Sequence, residues 1–222
     1  MRARSSWISA RGEPTATLLL RHGQTPMSVQ KRYAGRSPKT DVPLTETGVR
    51  QAAAAAKRLA SADIDAIVAS PLQRTVRTAE EVAAVTGVAV LTDEGLRETD
   101  FGAWDGLTFA EIQDRYPDEL DRWLGSLDEA PGGGESFRVL EKRVLASLER
   151  LLSEYAGRTV LAVSHVTPIK VLVAHALGAP LEAVYRMELA PASVTVLSFF
   201  ADGHASLRMF NARPTDVAFT GR

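Results

Sequence analysis

The sequence predicts an α/β fold, a three-layer α/β/α sandwich around a mainly parallel sheet. Short apolar runs alternate with stretches of helical length and pattern from Thr17 to about Gly178. The 222 residues, 45% of them hydrophobic, suit one large domain and contain no repeat or low-complexity tract. We expect this domain at residues 16–222, preceded at residues 1–15 by a disordered tail or the remnant of a linker.

The first predicted strand is the apolar run at residues 17–20, and a loop rich in Gly, Pro and charge follows it to Pro43. Thr45 can then cap an alanine-rich helix that continues to about Ala60. This unit predicts that the first strand ends directly before Arg21 and His22.

A second buried strand is predicted at residues 64–69, and a third at residues 88–91. A helix is predicted between them. Its signals are Ser70 as N-cap, Pro71 at the first helical position, Gln73 as the end of a capping box, and Gly87 at the helix end.

Residues 92–134 are loop-rich, with short helices predicted at about 107–116 and 117–124. The run Gly132 to Gly134 lacks the Lys-Ser or Lys-Thr of a nucleotide-binding loop, so it reads as a flexible entry to the next helix. That helix is the clearest amphipathic segment of the chain. Its apolar face consists of Phe137, Leu140, Val144, Leu148, Leu151 and Tyr155.

The last third of the chain begins with a fourth buried strand at residues 159–163. Thr167 as N-cap and Pro168 at the first helical position predict a helix that ends at Gly178. Residues 193–200 and 205–210 alternate in polarity around Asp202-Gly203, which predicts a hairpin. This apolar hairpin either forms the edge of a homodimer or supplies the last strands of the sheet.

Composition excludes several classes of function. Cysteine is absent, which rules out disulfides, thiolate metal sites and the phosphatases that use a cysteine nucleophile. With 26 Lys+Arg against 27 Asp+Glu, charge gives no reason to expect a nucleic-acid or membrane partner. No apolar run has the length of a membrane span or signal peptide, so the expected location is cytoplasmic.

Charged and imidazole side chains gather where the predicted strands end. Ligands of parallel α/β sheets bind beyond the carboxyl ends of the strands. Each of the four strands leads into one or two candidate residues at that edge. These candidates are Arg21, His22, Arg74, Glu98 and His165.

The residue types at this edge suit phosphoryl transfer. Arginines bind phosphoryl oxygens with a two-pronged fork, and helix N-termini add positive potential. One imidazole can attack phosphorus while the second stabilises the developing charge. A carboxyl group can protonate the departing alcohol and then activate water. Each residue alone also has an ordinary structural explanation, and His175 and His204 are read as structural.

The motifs resemble those of the histidine phosphatase superfamily, which includes the cofactor-dependent phosphoglycerate mutases. Arg21-His22-Gly23-Gln24-Thr25 resembles its Arg-His-Gly signature, and further motifs follow in the family's order over about residues 17–212. These are Pro43-Leu44-Thr45 with Gly48 and Gln51, Ala69 to Thr75, Leu96 to Gly106, Gly133 to Ser136, and Val163-Ser164-His165.

The resemblance implies a role for each site residue. His22 would become phosphohistidine, Arg21, Arg74 and His165 would complete the phosphate pocket, and Glu98 would be the proton donor. Thr25 would lie near the bound phosphate, and neither a metal nor an organic cofactor would be needed.

Two positions depart from the family pattern, and both concern the substrate. Ser28 stands where Asn is frequent, and Val166 stands where Gly follows the second histidine. Residues 163–170 most resemble the acid phosphatase/α-ribazole phosphatase-like domain of actinobacterial bifunctional ribonuclease H/acid phosphatase proteins. The chain is compatible with a freestanding protein or with a domain of such a fusion.

The sequence is compatible with three functions. A phosphomonoesterase acting on a small molecule is favoured over a phosphoglycerate mutase, because residues 106–134 add no basic cluster and form an acidic lid instead. Its acidic residues include Asp114, Asp118, Glu119, Asp121, Asp128 and Glu129. A non-catalytic phosphoprotein-binding module is disfavoured because it would not need Glu98.

Overall fold

Six strands form one sheet in the computed structural model, which describes residues 12–214. The strands are β1 (Thr15–Arg21), β2 (Ala66–Ala69), β3 (Val90–Thr92), β4 (Thr159–Ser164), β5 (Val194–Phe199) and β6 (Ala205–Ala212). Their order across the sheet is β3-β2-β4-β1-β5-β6. The first four are mutually parallel, and β5 and β6 run antiparallel to their neighbours. The mainly parallel sheet predicted from the sequence is confirmed.

Seven α-helices connect the strands within residues 12–214. They are α1 (Pro26–Val29), α2 (Glu46–Leu59), α3 (Gln73–Thr86), α4 (Phe109–Arg115), α5 (Pro117–Gly125), α6 (Phe137–Glu154) and α7 (Val166–Ala176). Single turns of 3-10 helix lie at Glu94–Leu96, Gly102–Trp104 and Pro131–Gly133, and a longer one at Leu181–Arg186. None of these helices combines the length and hydropathy that a membrane span requires.

The sheet separates two hydrophobic clusters, as alternation along a buried strand requires. Leu18 and Leu20 of β1 pack in the cluster that contains Leu59 of α2 and Val82 of α3. Leu19 points to the other side, into the cluster built on α6 and α7. Helices therefore cover both faces of the sheet, which is the predicted three-layer sandwich.

The register of the parallel strands brings their carboxyl ends together. Arg21 at the end of β1 pairs with Ser164 at the end of β4, so His22 and His165 follow side by side. The amide of His22 donates to the carbonyl of Ser164 at 3.1 Å, and the amide of Ser70 donates to the carbonyl of Val163 at 2.9 Å. Three strand ends thus meet at one edge of the sheet.

Two predicted helix starts are wrong. Helix α3 begins at Gln73 after Leu72 and has no side-chain cap; the hydroxyl of Ser70 contacts His165 at 2.8 Å and accepts from the amide of Leu72 at 3.5 Å. Helix α7 begins at Val166, one residue before the predicted cap Thr167, so Pro168 lies inside its first turn. Proline fits there because the first amides of a helix have no intrahelical acceptor.

Other predicted boundaries agree with the structure. Thr45 accepts from the amide of Gly48 and caps α2, and Gly87 ends α3 with φ +73°. The hairpin turns at the predicted Asp202-Gly203, where the amide of Gly203 donates to the carbonyl of Phe200. Strand β1 starts at Thr15, within the stretch expected as a tail, and residues 1–11 of that stretch lie outside the described residues.

Candidate active site

A cavity of about 410 Å³ opens at the edge where β1, β2 and β4 end. Six of the predicted site residues line it, namely Arg21, His22, Thr25, Ser28, Glu98 and Val166. The other two, Arg74 and His165, are buried side chains that lie next to the cavity without lining it. The sequence-predicted residues are therefore neighbours in space, although they come from four separate segments.

A hydrogen bond to the backbone of the next residue orients the imidazole of His22. Its Nδ1 lies 2.8 Å from the carbonyl oxygen of Gly23, and a carbonyl only accepts, so Nδ1 carries a proton. Burial, followed by the charges of Arg74 and Arg21, holds the pKa of His22 well below its usual value. The ring is therefore neutral, and its Nε2 keeps an unshared electron pair, as a nucleophile requires.

Gly23 allows this arrangement by close backbone packing. A Cβ atom at Gly23 would lie 2.4 Å from the carbonyl oxygen of Gly48 in the first turn of α2. The amide of Gly23 donates to the hydroxyl of Thr78 at 3.1 Å. The loop after β1 is thus fixed against α2 and α3 through a position where only glycine fits.

The second imidazole, His165, is completely buried beside the first. The two ring centroids are 5.2 Å apart, with 61° between the planes. The Nε2 atom of His165 forms a 2.8 Å hydrogen bond with the hydroxyl of Ser70, and its Nδ1 has no partner among the described residues. Burial, followed by the charge of Arg74, lowers the pKa of His165 well below its usual value.

Two arginines supply positive charge to the site. Burial lowers the pKa of Arg21 to about 10, against the opposing attraction of Glu98, so the guanidinium stays charged at neutral pH. Arg74 donates to Asp41 at 3.2 Å and to the carbonyls of Ala34 and Gly35.

Three buried nitrogens of the site have no hydrogen-bond partner within residues 12–214. They are the Nε atoms of Arg21 and Arg74, and Nδ1 of His165. Buried donors without acceptors are costly in a folded protein, and the oxygens of a phosphoryl group are strong acceptors. The arrangement therefore suits an anionic ligand.

The carboxylate of Glu98 lies against the start of α7. Its two oxygens accept from the amides of Thr99 at 2.9 Å and Thr167 at 3.4 Å. Arg143 of α6 fixes the main chain here by donating to the carbonyls of Gly95, Arg97 and Glu98 at 2.8 to 3.0 Å.

Glu135 in turn holds Arg143. Its carboxylate accepts two hydrogen bonds of 2.7 Å from the guanidinium. The Gly-Gly-Glu-Ser segment therefore supports Glu98 through Arg143, while Ser136 caps α6. Arg143 was not among the sequence candidates, and its only signal was its place eight residues after Glu135, within the helix that follows it.

Thr25 and Ser28 form a reciprocal capping box at α1. The hydroxyl of Thr25 accepts from the amide of Ser28, and the hydroxyl of Ser28 accepts from the amide of Thr25. The Ser28 hydroxyl also donates to the carbonyl of Thr25 at 2.8 Å. Its proton is thus used within the loop, whereas the sequence suggested that it could contact substrate.

The lid segment, residues 106–134, contributes apolar rather than acidic side chains to the cavity wall. Its contributions to the lining are Phe109, Trp123 and Leu124. The acidic residues that suggested an acidic lid do not line the cavity, because α4 and α5 are amphipathic and carry most of them on the exposed face. The expectation that the carboxylates of the lid segment face the ligand is therefore wrong.

The sequence also missed three cations in the cavity wall, Lys31, Arg32 and Lys170. Lys170 lies one helical turn after Val166 on α7, and it is half-buried in the lining. Burial lowers its pKa, and the charge of Glu98 opposes that change. The four-residue spacing from Val166 was the available signal, since residues at i and i+4 share a helix face.

The arrangement supplies a neutral imidazole, a set of buried cationic donors and a carboxyl group in one cavity. These are the groups that attack at phosphorus and proton transfer to a leaving oxygen require. Within residues 12–214, no group of three or more histidine, aspartate or glutamate side chains is placed to hold a metal ion.

Comparison with known proteins gives the same family. Residues 17–212 match the histidine phosphatase superfamily (branch 1). A bifunctional protein of Mycobacterium tuberculosis is 48% identical over 206 residues, which are 92% of this chain and 56% of the relative. The chain thus spans about half the length of this relative, and the predicted resemblance to a domain of an actinobacterial bifunctional protein is confirmed.

More distant relatives carry names from both phosphatases and mutases. Phosphoserine phosphatase 1 of Hydrogenobacter thermophilus is 31% identical over 81% of this chain and 84% of its own. A probable phosphoglycerate mutase of Photorhabdus laumondii is 36% identical over 82% of this chain and 83% of its own.

Two solved structures share the fold closely. A mycobacterial glucosyl-3-phosphoglycerate phosphatase superposes with a TM-score of 0.80 at 33% identity, covering 89% of this chain and 99% of that one. The α-ribazole phosphatase of Shigella flexneri gives a TM-score of 0.82 at 26% identity, covering 93% of this chain and 100% of that one.

Proposed function

The chain belongs to the histidine phosphatase superfamily, and we propose that it is a metal-independent phosphomonoesterase that acts through a phosphohistidine on His22. The observation that carries the proposal is the hydrogen bond from His22 Nδ1 to the carbonyl of Gly23. It fixes the tautomer that leaves Nε2 free to attack, in a ring that burial keeps neutral.

The reaction runs in two steps. The Nε2 lone pair of His22 forms a bond to phosphorus while the ester P–O bond breaks, and Glu98 gives its proton to the departing alcohol. Arg21, Arg74 and His165 stabilise the charge on the transferring group. In the second step Glu98 takes a proton from water, the oxygen attacks phosphorus, and the N–P bond breaks to release inorganic phosphate and regenerate His22.

Phosphatase activity is favoured over mutase activity by the solvent exposure of the cavity wall. A mutase keeps water away from its phosphoenzyme, whereas several side chains that line this cavity are exposed to solvent. Relatives named as phosphatases are found among both the sequence and the structural matches. An acid phosphatase or α-ribazole phosphatase activity on a small molecule is the finer proposal.

A phosphoglycerate mutase is the second candidate, and Lys170 is the observation that favours it. A half-buried ammonium in the cavity wall would suit the carboxylate of a phosphoglycerate. The mutase proposal also draws on the relative of that name. A non-catalytic phosphoprotein-binding role has no comparable support, because binding alone gives no use for Glu98 next to the imidazoles.

The proposal is tested by hydrolysis of p-nitrophenyl phosphate in EDTA. We expect release of inorganic phosphate by the wild type and no turnover by His22→Ala. His175→Ala is the control and should turn over normally, because His175 is exposed and lies outside the site. Loss of wild-type activity in EDTA would contradict the metal-free reaction. Incubation with 3-phosphoglycerate separates the two candidates, because a mutase would form 2-phosphoglycerate faster than phosphate.

A further inference from the structure

Three large apolar side chains are exposed at the mouth of the catalytic cavity. Phe109 of α4, Leu124 of α5 and Tyr185 of the 3-10 helix are 45%, 48% and 43% exposed, and all three line the cavity. We call these three residues the apolar rim. Single exposed apolar residues are ordinary, but a group that converges on one cavity typically marks a binding surface.

One residue of the apolar rim, Tyr185, packs on a cluster of buried aromatic side chains. Tyr185 packs against Trp123 and Phe137, with ring centroids 6.2 and 5.5 Å away. Trp123 also packs against the fully buried Trp104 at 5.5 Å. A surface fixed in this way loses little conformational entropy when a ligand covers it, so its contacts contribute to affinity.

The cavity therefore has two chemically different ends. His22, 6% exposed, lies at the buried end together with Arg21 and Glu98, and the open end carries the apolar rim together with the exposed Lys31. Phosphoryl transfer is in line, so the departing oxygen leaves on the side of phosphorus opposite the attacking nitrogen. An alcohol bound for reaction at His22 must then extend from the buried end towards the rim.

We propose that the alcohol portion of the natural substrate carries an apolar ring system that packs on Phe109, Leu124 and Tyr185. This inference rests on the proposed phosphomonoesterase function and narrows its substrate class from phosphomonoesters in general to those with a hydrophobic, preferably aromatic, alcohol. The occupant is the substrate itself, because the rim is continuous with the cavity that holds the reacting groups.

The test compares esters that differ in apolar area and little in the acidity of the alcohol. We expect kcat/KM for 2-naphthyl phosphate to exceed that for phenyl phosphate by about 10-fold, the scale on which a hydrophobic pocket discriminates. In the double variant Phe109→Ser with Leu124→Ser, the preference should fall to about 2-fold or less, mainly through a higher KM for the naphthyl ester. Val139→Ala, at a residue 54% exposed outside the cavity, is the matched control and should keep the wild-type preference.

Binding of unreactive analogues gives a second measurement that does not depend on turnover. Calorimetry should show 2-naphthylphosphonate binding to the wild type about 10-fold more tightly than phenylphosphonate, with the difference lost in the double variant. Equal affinities in the wild type, or an unchanged ratio in the double variant, would overturn the proposal, as expected if the rim instead received a protein partner. Absence of hydrolysis with any ester would contradict the proposed function, whereas the phosphonate ratio would still decide the role of the rim.

Discussion

The hydroxyl of Ser70 lies 2.8 Å from Nε2 of His165 and connects the end of β2 to the end of β4. Both side chains are completely buried. The contact fixes the ring of His165 next to His22, and its Nδ1 is buried without a hydrogen-bond partner among the described residues. Ser70 is therefore a positioning residue.

Ser70→Ala should lower kcat by about 10-fold, because His165 loses the partner that fixes its orientation. The cost in the free energy of unfolding should be about 1 kcal/mol, as for loss of one hydrogen bond. Steady-state kinetics and urea unfolding measure both quantities. A variant that loses stability but keeps kcat would show that Ser70 has only a structural role.

Glu98→Gln should slow turnover in a way that depends on the leaving group. The amide keeps the shape of the side chain but has no acidic proton, so alkyl phosphates should lose about 10²- to 10⁴-fold. p-Nitrophenyl phosphate, whose product needs little protonation, should lose far less in its first step. Values of kcat/KM for a series of aryl and alkyl phosphates report this first step, and equal slowing of all of them would count against Glu98 as the acid.

Stability should fall in mild acid because of the two buried imidazoles. The native pKa values of His22 and His165 lie well below 6.5, mainly through burial, while the unfolded chain takes up protons below about that pH. Each histidine then reduces the free energy of unfolding by up to about 1.4 kcal/mol for each pH unit below 6.5. Urea unfolding at pH 7.5 and 5.5 should show a smaller decrease for His165→Asn than for the wild type. The same decrease in both proteins would contradict a low native pKa at His165.

Gly23→Ala should destabilise the protein, since the new Cβ would lie 2.4 Å from the carbonyl oxygen of Gly48. We expect a loss of about 1–3 kcal/mol, as for overpacking elsewhere, together with reduced activity because the His22 loop must move. Gly125→Ala is the control, because a Cβ there meets nothing within 4 Å, and its effect should be about 0.5 kcal/mol or less. Equal thermal stability of the two variants would show that the loop adapts freely.

The strands and the residues at their ends were predictable because both signals are local. An apolar run followed by Arg21-His22 or Ser164-His165 predicts a buried strand and a site at its end, and the parallel register then aligns the two histidines. The start of α3 was mispredicted for the opposite reason. Ser70, Pro71 and Gln73 have ideal capping spacing, but α3 begins at Gln73, and the Ser70 hydroxyl contacts His165, 95 residues away in the chain.

Local sequence patterns could not predict which face of the lid segment meets the cavity, nor the roles of the supporting residues. The acidic residues of 106–134 dominate the sequence of that segment, yet burial of its apolar stripe decides which face meets the cavity. Arg143 and Asp41 act on Glu98 and Arg74 through contacts made in the folded chain. Their roles depend on side-chain packing between distant segments, which has no fixed spacing in the sequence.

The most direct test of the account is the covalent intermediate itself. Rapid acid-free quenching of the enzyme during turnover of a ³²P-labelled phosphomonoester should give a phosphoprotein that is stable in alkali and labile in acid. Peptide mapping should place the label on His22, with none on His22→Ala and undiminished labelling of His175→Ala. Label on another residue, or full turnover by His22→Ala without any phosphoprotein, would contradict the central claim that His22 is the nucleophile.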